Sequence, residues 1–385
     1  MPQPRQTDAP AHNAGIDALR IIAMLMIVAG HYAMHGVGQD ALAAMAPSAQ
    51  RTLLHLLLLI GIPGIDCFVL ISGYFLIRAH WSVRKPLRLL GQVYFYLLLI
   101  FALAKLTGFA PINAQNTFYH RIFWFASSSY LAWFAAAYLL LYALVPFVNA
   151  CLLHLTQRQH AALIALCCAV WGALPTFFGE DYLYTNTKLT LFLTVYIIGA
   201  YIRLYSCPLF AKCGRNFALA ALFFGINAAR VVLFDVRGAA GADAWDYVFR
   251  IKDAAQLPVL GFAVFLFLAC KNLPLRPARW RKALAGATFG VYLIHDDAIL
   301  SPVLWGALGA QKAAQGGFWP LLAHVLLCTA GIFLVCAGIE LLRQALTRAA
   351  SRLCAAPLAA LRARALPLGR ALGAPFFALW RLLNR

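Results

Sequence analysis

Residues 15–35 read GIDALRIIAMLMIVAGHYAMH. The stretch is mostly apolar and about as long as a membrane-spanning helix. It nevertheless carries Asp17, Arg20 and His31. A charged group near the bilayer centre costs roughly 3 kcal/mol or more, so such groups face a protein interior or a water-filled cavity. At about 100° per residue, Arg20 and His31 fall about 20° apart around the helix, and Asp17 about 40° from His31. One stripe therefore bears an acid, a guanidinium and an imidazole, with His31 ~16 Å along the axis from Arg20. The plainer reading makes Asp17 and Arg20 markers of the membrane boundary and His31 a satisfied core histidine. It leaves the shared stripe unexplained.

The rest of the chain has the same character. Of 385 residues, 63% are hydrophobic and 12% charged, which excludes an ordinary soluble domain and fits a polytopic membrane protein. The predicted fold is an all-α integral membrane bundle. Ten apolar segments are long enough to span, at about 16–36, 53–77, 87–108, 130–150, 160–178, 189–206, 215–234, 251–271, 286–309 and 319–342. With Arg20 counted as intramembrane, the compartments on the side of the N-terminus hold 22 Lys and Arg and the opposite side 9. Positive charge accumulates on cytoplasmic loops, so both termini are expected in the cytoplasm. The same rule accounts for the formal charge of +19 without nucleic acid. Residues 1–342 read as the membrane domain. Residues 343–385, rich in Arg with Leu, Phe and Trp interleaved, read as a basic amphipathic tail on the inner leaflet, in contact with membrane lipids. The ten cysteines include no CxxC and no metal-ligand spacing, so free thiols and no structural metal are expected. No stretch reads as a cleavable signal peptide.

Three further stretches carry polar groups where apolar ones are expected. The second span contains GIPGIDCFVLISGYFLI, residues 61–77, with Asp66 roughly 16 Å from its cytoplasmic end. That depth is comparable with that of His31, so Asp66 is a candidate to orient the imidazole. Capping a broken helix and pairing with Arg20 remain open alternatives. Tyr74, in Ser72-Gly73-Tyr74, stands near the cytoplasmic face. Arg78, Arg84, Lys85 and Arg88 follow as the densest basic cluster beside it. Such groups bind phosphates by charge-assisted hydrogen bonds, although positive-inside topology alone also explains them. In the fourth span, Tyr130, Trp133 and Phe134 read as an interfacial aromatic belt, or as rings that stack on a sugar. The ninth span, GATFGVYLIHDDAILSPVLW, places His295, Asp296 and Asp297 in mid-membrane. Successive residues point about 100° apart, so not all three can face one partner.

GIDALR with His31, GIDCFVLISGYF, the basic RKPLR, YLAWF with Pro146, and FGVYLIHD resemble, in order, segments of the acyltransferase-3 family of membrane acyltransferases. The resemblance covers nearly the whole chain. It implies transfer of an acyl group, usually acetyl, from cytoplasmic acyl coenzyme A to a hydroxyl of an envelope carbohydrate at a bacterial inner membrane. It implies that Arg20 and His31 are essential and that Arg84, Lys85 and Arg88 stand on the coenzyme side. Lys85-Pro-Leu-Arg88 occupies the place where the family usually has Arg-x-x-Arg. On this reading His31 is the general base, with attack by His31 itself to form an acyl-imidazole as an open second mechanism, and Arg20 serves the thioester oxyanion or the coenzyme phosphates. Asp17 holds Arg20, and Tyr74, Trp133, His295 and Asp296 face the substrates. Acyl coenzyme A is the expected co-substrate, and no metal is expected. The alternative from another class is a proton-coupled transporter or flippase of a lipid-linked glycan. The sequence shows no repeat of two similar halves, which many carriers have.

Overall fold

The computed structural model describes residues 12–124, 133–178, 188–205, 208–236 and 256–353, and every regular element among them is helical. This is the expected outcome for a backbone whose polar groups must be satisfied without water. Helix α1 (Ala14–His31) opens on Asn13, whose side chain accepts from the Ile16 amide. It passes into a wider π-helical turn, Tyr32–Gly38, and ends in short α2 (Gln39–Ala44). Helix α3 (Ala49–Leu76) is capped by Ser48 and runs unbroken through Pro63. Then come α4 (Arg84–Thr107), short α5 (Phe118–Ile122) and α6 (Trp133–His154). Helices α7 (Gln157–Cys168) and α8 (Leu174–Phe178) flank a second π-helical turn, and α9 (Lys188–Leu204) and α10 (Cys213–Val236) follow. The remainder is α11 (Leu257–Lys271), α12 (Arg279–His295), α13 (Leu300–Leu308), α14 (Ala310–Ala314) and α15 (Phe318–Leu353).

Among the described residues, six stretches are long and apolar enough to cross a membrane: Ala14–Ala44, α3, α4, α6, α10 and Phe318–Arg352. A seventh arises if α12 and α13, bent by 92° at their junction, form one span. The ten expected segments therefore divide into two groups. Segments 160–178, 189–206 and 251–271 fall on a helix pair with a π-turn between and on helices of 17 and 15 residues. Segment 286–309, read from sequence as one continuous span, is broken after His295. The outer faces of α6, α10 and α15 are apolar, with Leu140, Phe147, Leu222, Leu233, Leu327 and Leu334 all exposed. Exposed apolar surface on that scale suits contact with lipid. The chain is thus a multi-pass membrane protein.

Residues up to Ala337 form one compact unit and those from Gly338 a second. Helix α15 runs through Leu342 to Leu353, so the boundary expected there is not a helix end. The expected amphipathic tail beyond Leu353 lies outside the described residues. The eight described cysteines are free thiols.

Helices α1 and α3 are the most buried of the long helices and cross at glycines. A Cβ on Gly61 would stand 3.0 Å from the Cα of Gly30, and one on Gly64 2.6 Å from the Ala23 carbonyl oxygen. Small residues let two backbones approach this closely in a membrane. They also fix the register: residue 30 faces 61, and residue 64 faces 23–27. Gly61→Val should force the pair apart, an overpacking that costs roughly 1–3 kcal/mol. The melting temperature in detergent should fall by several degrees. Gly91, whose Cβ would meet nothing within 4 Å, is the control site, and Gly91→Val should leave it unchanged. Equal melting of the two variants would show that the crossing tolerates a side chain.

Candidate functional site

The stripe read from the first helix divides into two stations. The inner one surrounds Arg20. Asp17 is buried and its Oδ2 lies 2.6 Å from Nε2 of His12. Arg20 lies within electrostatic reach of Asp17 and of Tyr138 on α6. Ser72 of α3 donates to the Phe68 carbonyl at 3.0 Å and stands 3.4 Å from the Tyr138 hydroxyl. From the glycine register, fully buried Asp66 falls level with residues 21–25 of α1. That is roughly 9–15 Å below His31 along the axis and close to the level of Arg20. The equal depth expected for Asp66 and His31 is not what the helices adopt. Asp66 is 10 residues from the inner end of α3 and His31 is 17 from the inner end of α1, which puts His31 about 10 Å deeper.

The outer station lies about 16 Å further along α1. Here the carboxylate beside His31 is that of Asp296: His31 Nδ1 and Asp296 Oδ1 are 3.4 Å apart, and His35 Nε2 is 3.4 Å from the same oxygen. His35 sits in the π-helical turn, a form frequent at functional sites. Its ring centroid is 4.8 Å from that of His31. The His31 Nδ1 also lies 3.0 Å from Nε2 of fully buried His295. His295 Nδ1 in turn lies 2.6 Å from the Val291 carbonyl oxygen. A carbonyl only accepts, so His295 carries its proton on Nδ1 and its lone pair on Nε2. Neutral His31 then carries its proton on Nδ1 and presents an unprotonated Nε2. Two neutral imidazoles anchored on one carbonyl thus fix which nitrogen of His31 is basic.

The break after His295 is built by the third member of the triplet. Asp297 Oδ1 accepts from the Ile299 amide at 2.9 Å and the Leu300 amide at 3.3 Å, capping α13. Arg121, on short α5, grips the same carboxylate through two nitrogens, at 2.6 and 3.1 Å, and gives a third bond to the Leu97 carbonyl. Both side chains are wholly buried. Asp296 and Asp297 therefore face different partners, as the helical step required. Tyr32, one residue past His31, is fixed separately: its hydroxyl lies 2.7 Å from Nδ1 of His324, whose Nε2 donates to the Leu308 carbonyl at 3.0 Å.

The remaining predicted residues lie elsewhere. Arg78, Arg84, Lys85 and Arg88 are exposed, just before and within the first turns of α4, about 24 Å from the His31 level along α3. The loop carrying them is pinned by Trp81, which stacks on Tyr142 at 6.1 Å and donates to its carbonyl. The Tyr74 ring packs against Phe267 at 5.6 Å and under the Arg203 guanidinium at 5.2 Å, so it is already covered. Trp133 lies under Lys188 and beside Phe192. Its neighbour Phe134 joins Phe68, Tyr138, Phe192 and Tyr292 in an internal aromatic stack, not a surface belt. That stack runs from the Arg20 station, at Tyr138, to one turn before His295, at Tyr292. His35 and Arg121 were not singled out from sequence. The first is signalled by its i+4 spacing from His31; the second, short of three-dimensional contact, by nothing.

The site is thus a hydrogen-bonded imidazole beside a carboxylate, set within a membrane helix bundle. The family model described as an acyltransferase domain matches residues 13–341. The chain belongs to the acyltransferase-3 family, and so is a membrane acyltransferase. No curated protein and no solved structure gives a significant match.

Removing one partner of a buried ion pair costs roughly 3–5 kcal/mol, because the other charge stays uncompensated. Arg121→Ala should therefore destabilise the protein by that amount in detergent unfolding. Arg121→Met combined with Asp297→Asn should recover more than half of it, since an amide still caps α13. A loss below about 1 kcal/mol in the single variant would mean that the pair does not hold the break.

Proposed function

We propose that the protein transfers an acyl group, acetyl being the expected one, from cytoplasmic acyl coenzyme A to a hydroxyl of an envelope carbohydrate, with Nε2 of His31 as general base. The observation that carries this reading is the chain from Val291 through His295 to His31, which leaves one nitrogen of the imidazole unprotonated and oriented. Nε2 takes the hydroxyl proton while the hydroxyl oxygen attacks the thioester carbonyl. The coenzyme thiolate leaves, and the imidazolium returns the proton to it. Asp296, 3.4 Å away, balances the imidazolium between the two steps. A positioned base of this kind contributes roughly 10²–10⁴-fold. Membership of an acyltransferase family favours transfer over transport.

The donor enters from the basic side. Arg84 and Lys85 crowd positive charge at the start of α4, where the helix dipole already favours an anion. Together with Arg78 and Arg88 they suit the phosphates of coenzyme A. Arg20 lies between this cluster and His31 and serves the thioester as it passes; Asp17, whose carboxylate is bonded to His12, does not grip it and acts on it through its charge alone, and Asp66 belongs to this inner level. The reading places ten spans in a bacterial inner membrane, with both termini cytoplasmic. Its support is the 22-to-9 distribution of Lys and Arg.

Two measurements separate the roles. At saturating acyl coenzyme A, His31→Gln should lose at least 10² in acyl transfer with its melting temperature unchanged, because an amide cannot take the proton. Activity within about threefold of the wild type would remove His31 from catalysis. Arg88→Ala should instead raise KM for acyl coenzyme A by roughly tenfold or more, the loss of one charged contact of about 1.5–3 kcal/mol, and spare kcat. An unchanged KM in alanine variants at 84, 85 and 88 would end the donor role of that cluster. For orientation, reporter fusions after Lys85 and Lys282 should report cytoplasm and one after Gly241 the outside. Agreement of Lys85 with Gly241 would refute ten spans.

A further inference from the structure

The outer station contains more donors than a general base requires. One donor atom from each of His31, His35 and Asp296 lies within 4.8 Å of the other two. Two of the three separations, His31 Nδ1 to Asp296 Oδ1 and His35 Nε2 to Asp296 Oδ1, are 3.4 Å. Nitrogen and oxygen ligands about 2.0–2.1 Å from a tetrahedral zinc ion stand about 3.4 Å from one another. His295 Nε2, 3.0 Å from His31 Nδ1, borders this group, and its other nitrogen donates to the Val291 carbonyl. His31 and His35 are four residues apart on one face, and the π-turn keeps their rings together.

We propose that His31 Nδ1, His35 Nε2 and Asp296 Oδ1 form a site for a borderline divalent ion of the zinc class, and that its occupation switches the transferase off. The nitrogen-rich set disfavours magnesium and calcium, which take oxygen ligands. The off-switch rests on the reading of His31 as general base and follows from its tautomer. The ion takes the Nδ1 lone pair, so Nδ1 gives up its proton. Neutral His31 then carries its proton on Nε2, the atom that had received the hydroxyl proton. Nothing is oxidised or reduced, and the reverse exchange restores the base when the ion leaves. His35 is the accessible member, with 39% of its side chain exposed, and gives the ion its way in.

The test uses full-length protein in detergent micelles and zinc chloride. Equilibrium dialysis should find an ion whose binding is weakened at least tenfold by His35→Gln and by Asp296→Asn, but not by His154→Gln, an exposed histidine at the end of α6. Using both variants guards against one that fails to fold. Acyl transfer should fall over the zinc range in which this ion binds and return on chelation. His35→Gln should need at least tenfold more zinc for the same fractional inhibition of its own activity. Zinc binding indifferent to both substitutions would overturn the site. Binding that depends on His35 and leaves transfer unaffected would overturn the switch. Failure of the base reading is seen separately, as activity in metal-free His31→Gln, and the binding result stands apart from it.

Discussion

The outer station depends on an ion pair that takes no part in its chemistry. Arg121 and Asp297 hold each other with no solvent exposure, and Asp297 caps the helix that restarts after the break. A buried pair of this kind adds little net stability compared with an apolar replacement, because desolvation of both ions offsets their attraction. Its effect is geometric. With Asp297 pinned to α5, α12 stops at His295 and α13 leaves at 92°. His295 and Asp296 then sit at the end of a helix, with their side chains turned to the π-turn that follows His31. A continuous ninth span would spread the triplet around 200° of helix surface, away from such a meeting.

The α1–α3 crossing sets the second coordinate. Gly30, Gly61 and Gly64 bring two backbones into contact and fix their register, so the polar groups of α3 fall at set heights beside those of α1. Asp66 and Ser72 accompany the inner part of the stripe, and the level of His31 on α3 is apolar. The imidazole must find its polar partners on another helix, and α12 supplies them. The aromatic stack from Tyr138 through Phe134 to Tyr292 links the two heights along α6 and α12.

The sequence made the first helix readable for a simple reason. Charges are rare in apolar runs, and a 3.6-residue period converts their spacing into a direction, so Arg20 and His31 stood out with no partner in view. His295 and Asp296 were visible by the same logic. What could not be read was which carboxylate meets His31. Asp66 was the candidate by counted depth, but its roughly 16 Å runs from the inner end of its helix, whereas the ~16 Å of His31 runs from Arg20, itself six residues into α1. The break in the ninth span was hidden as well. Pro302 lies beyond it, and residues 286–305 are apolar enough to read as continuous; the bend comes from Arg121, distant in sequence and counted only as a loop charge. The helical step showed that Asp296 and Asp297 could not share one partner, but not that Arg121 would be the partner of Asp297.

If His31 is the proposed base, a pair of neutral histidines is a sensible way to orient it at this depth. A carboxylate bonded directly to His31 Nδ1 would fix the same tautomer, but it would carry a full charge into a site where charge is costly. His295 fixes the tautomer with no net charge, drawing on a backbone carbonyl. Asp296 stands slightly further off, at 3.4 Å, with 16% of its side chain exposed, where water bears part of its solvation. Its field then acts mainly when His31 is protonated. On the proposed reading, neutral orientation in the resting state and charge compensation in the reactive one would fall to different residues, one on each side of the helix break.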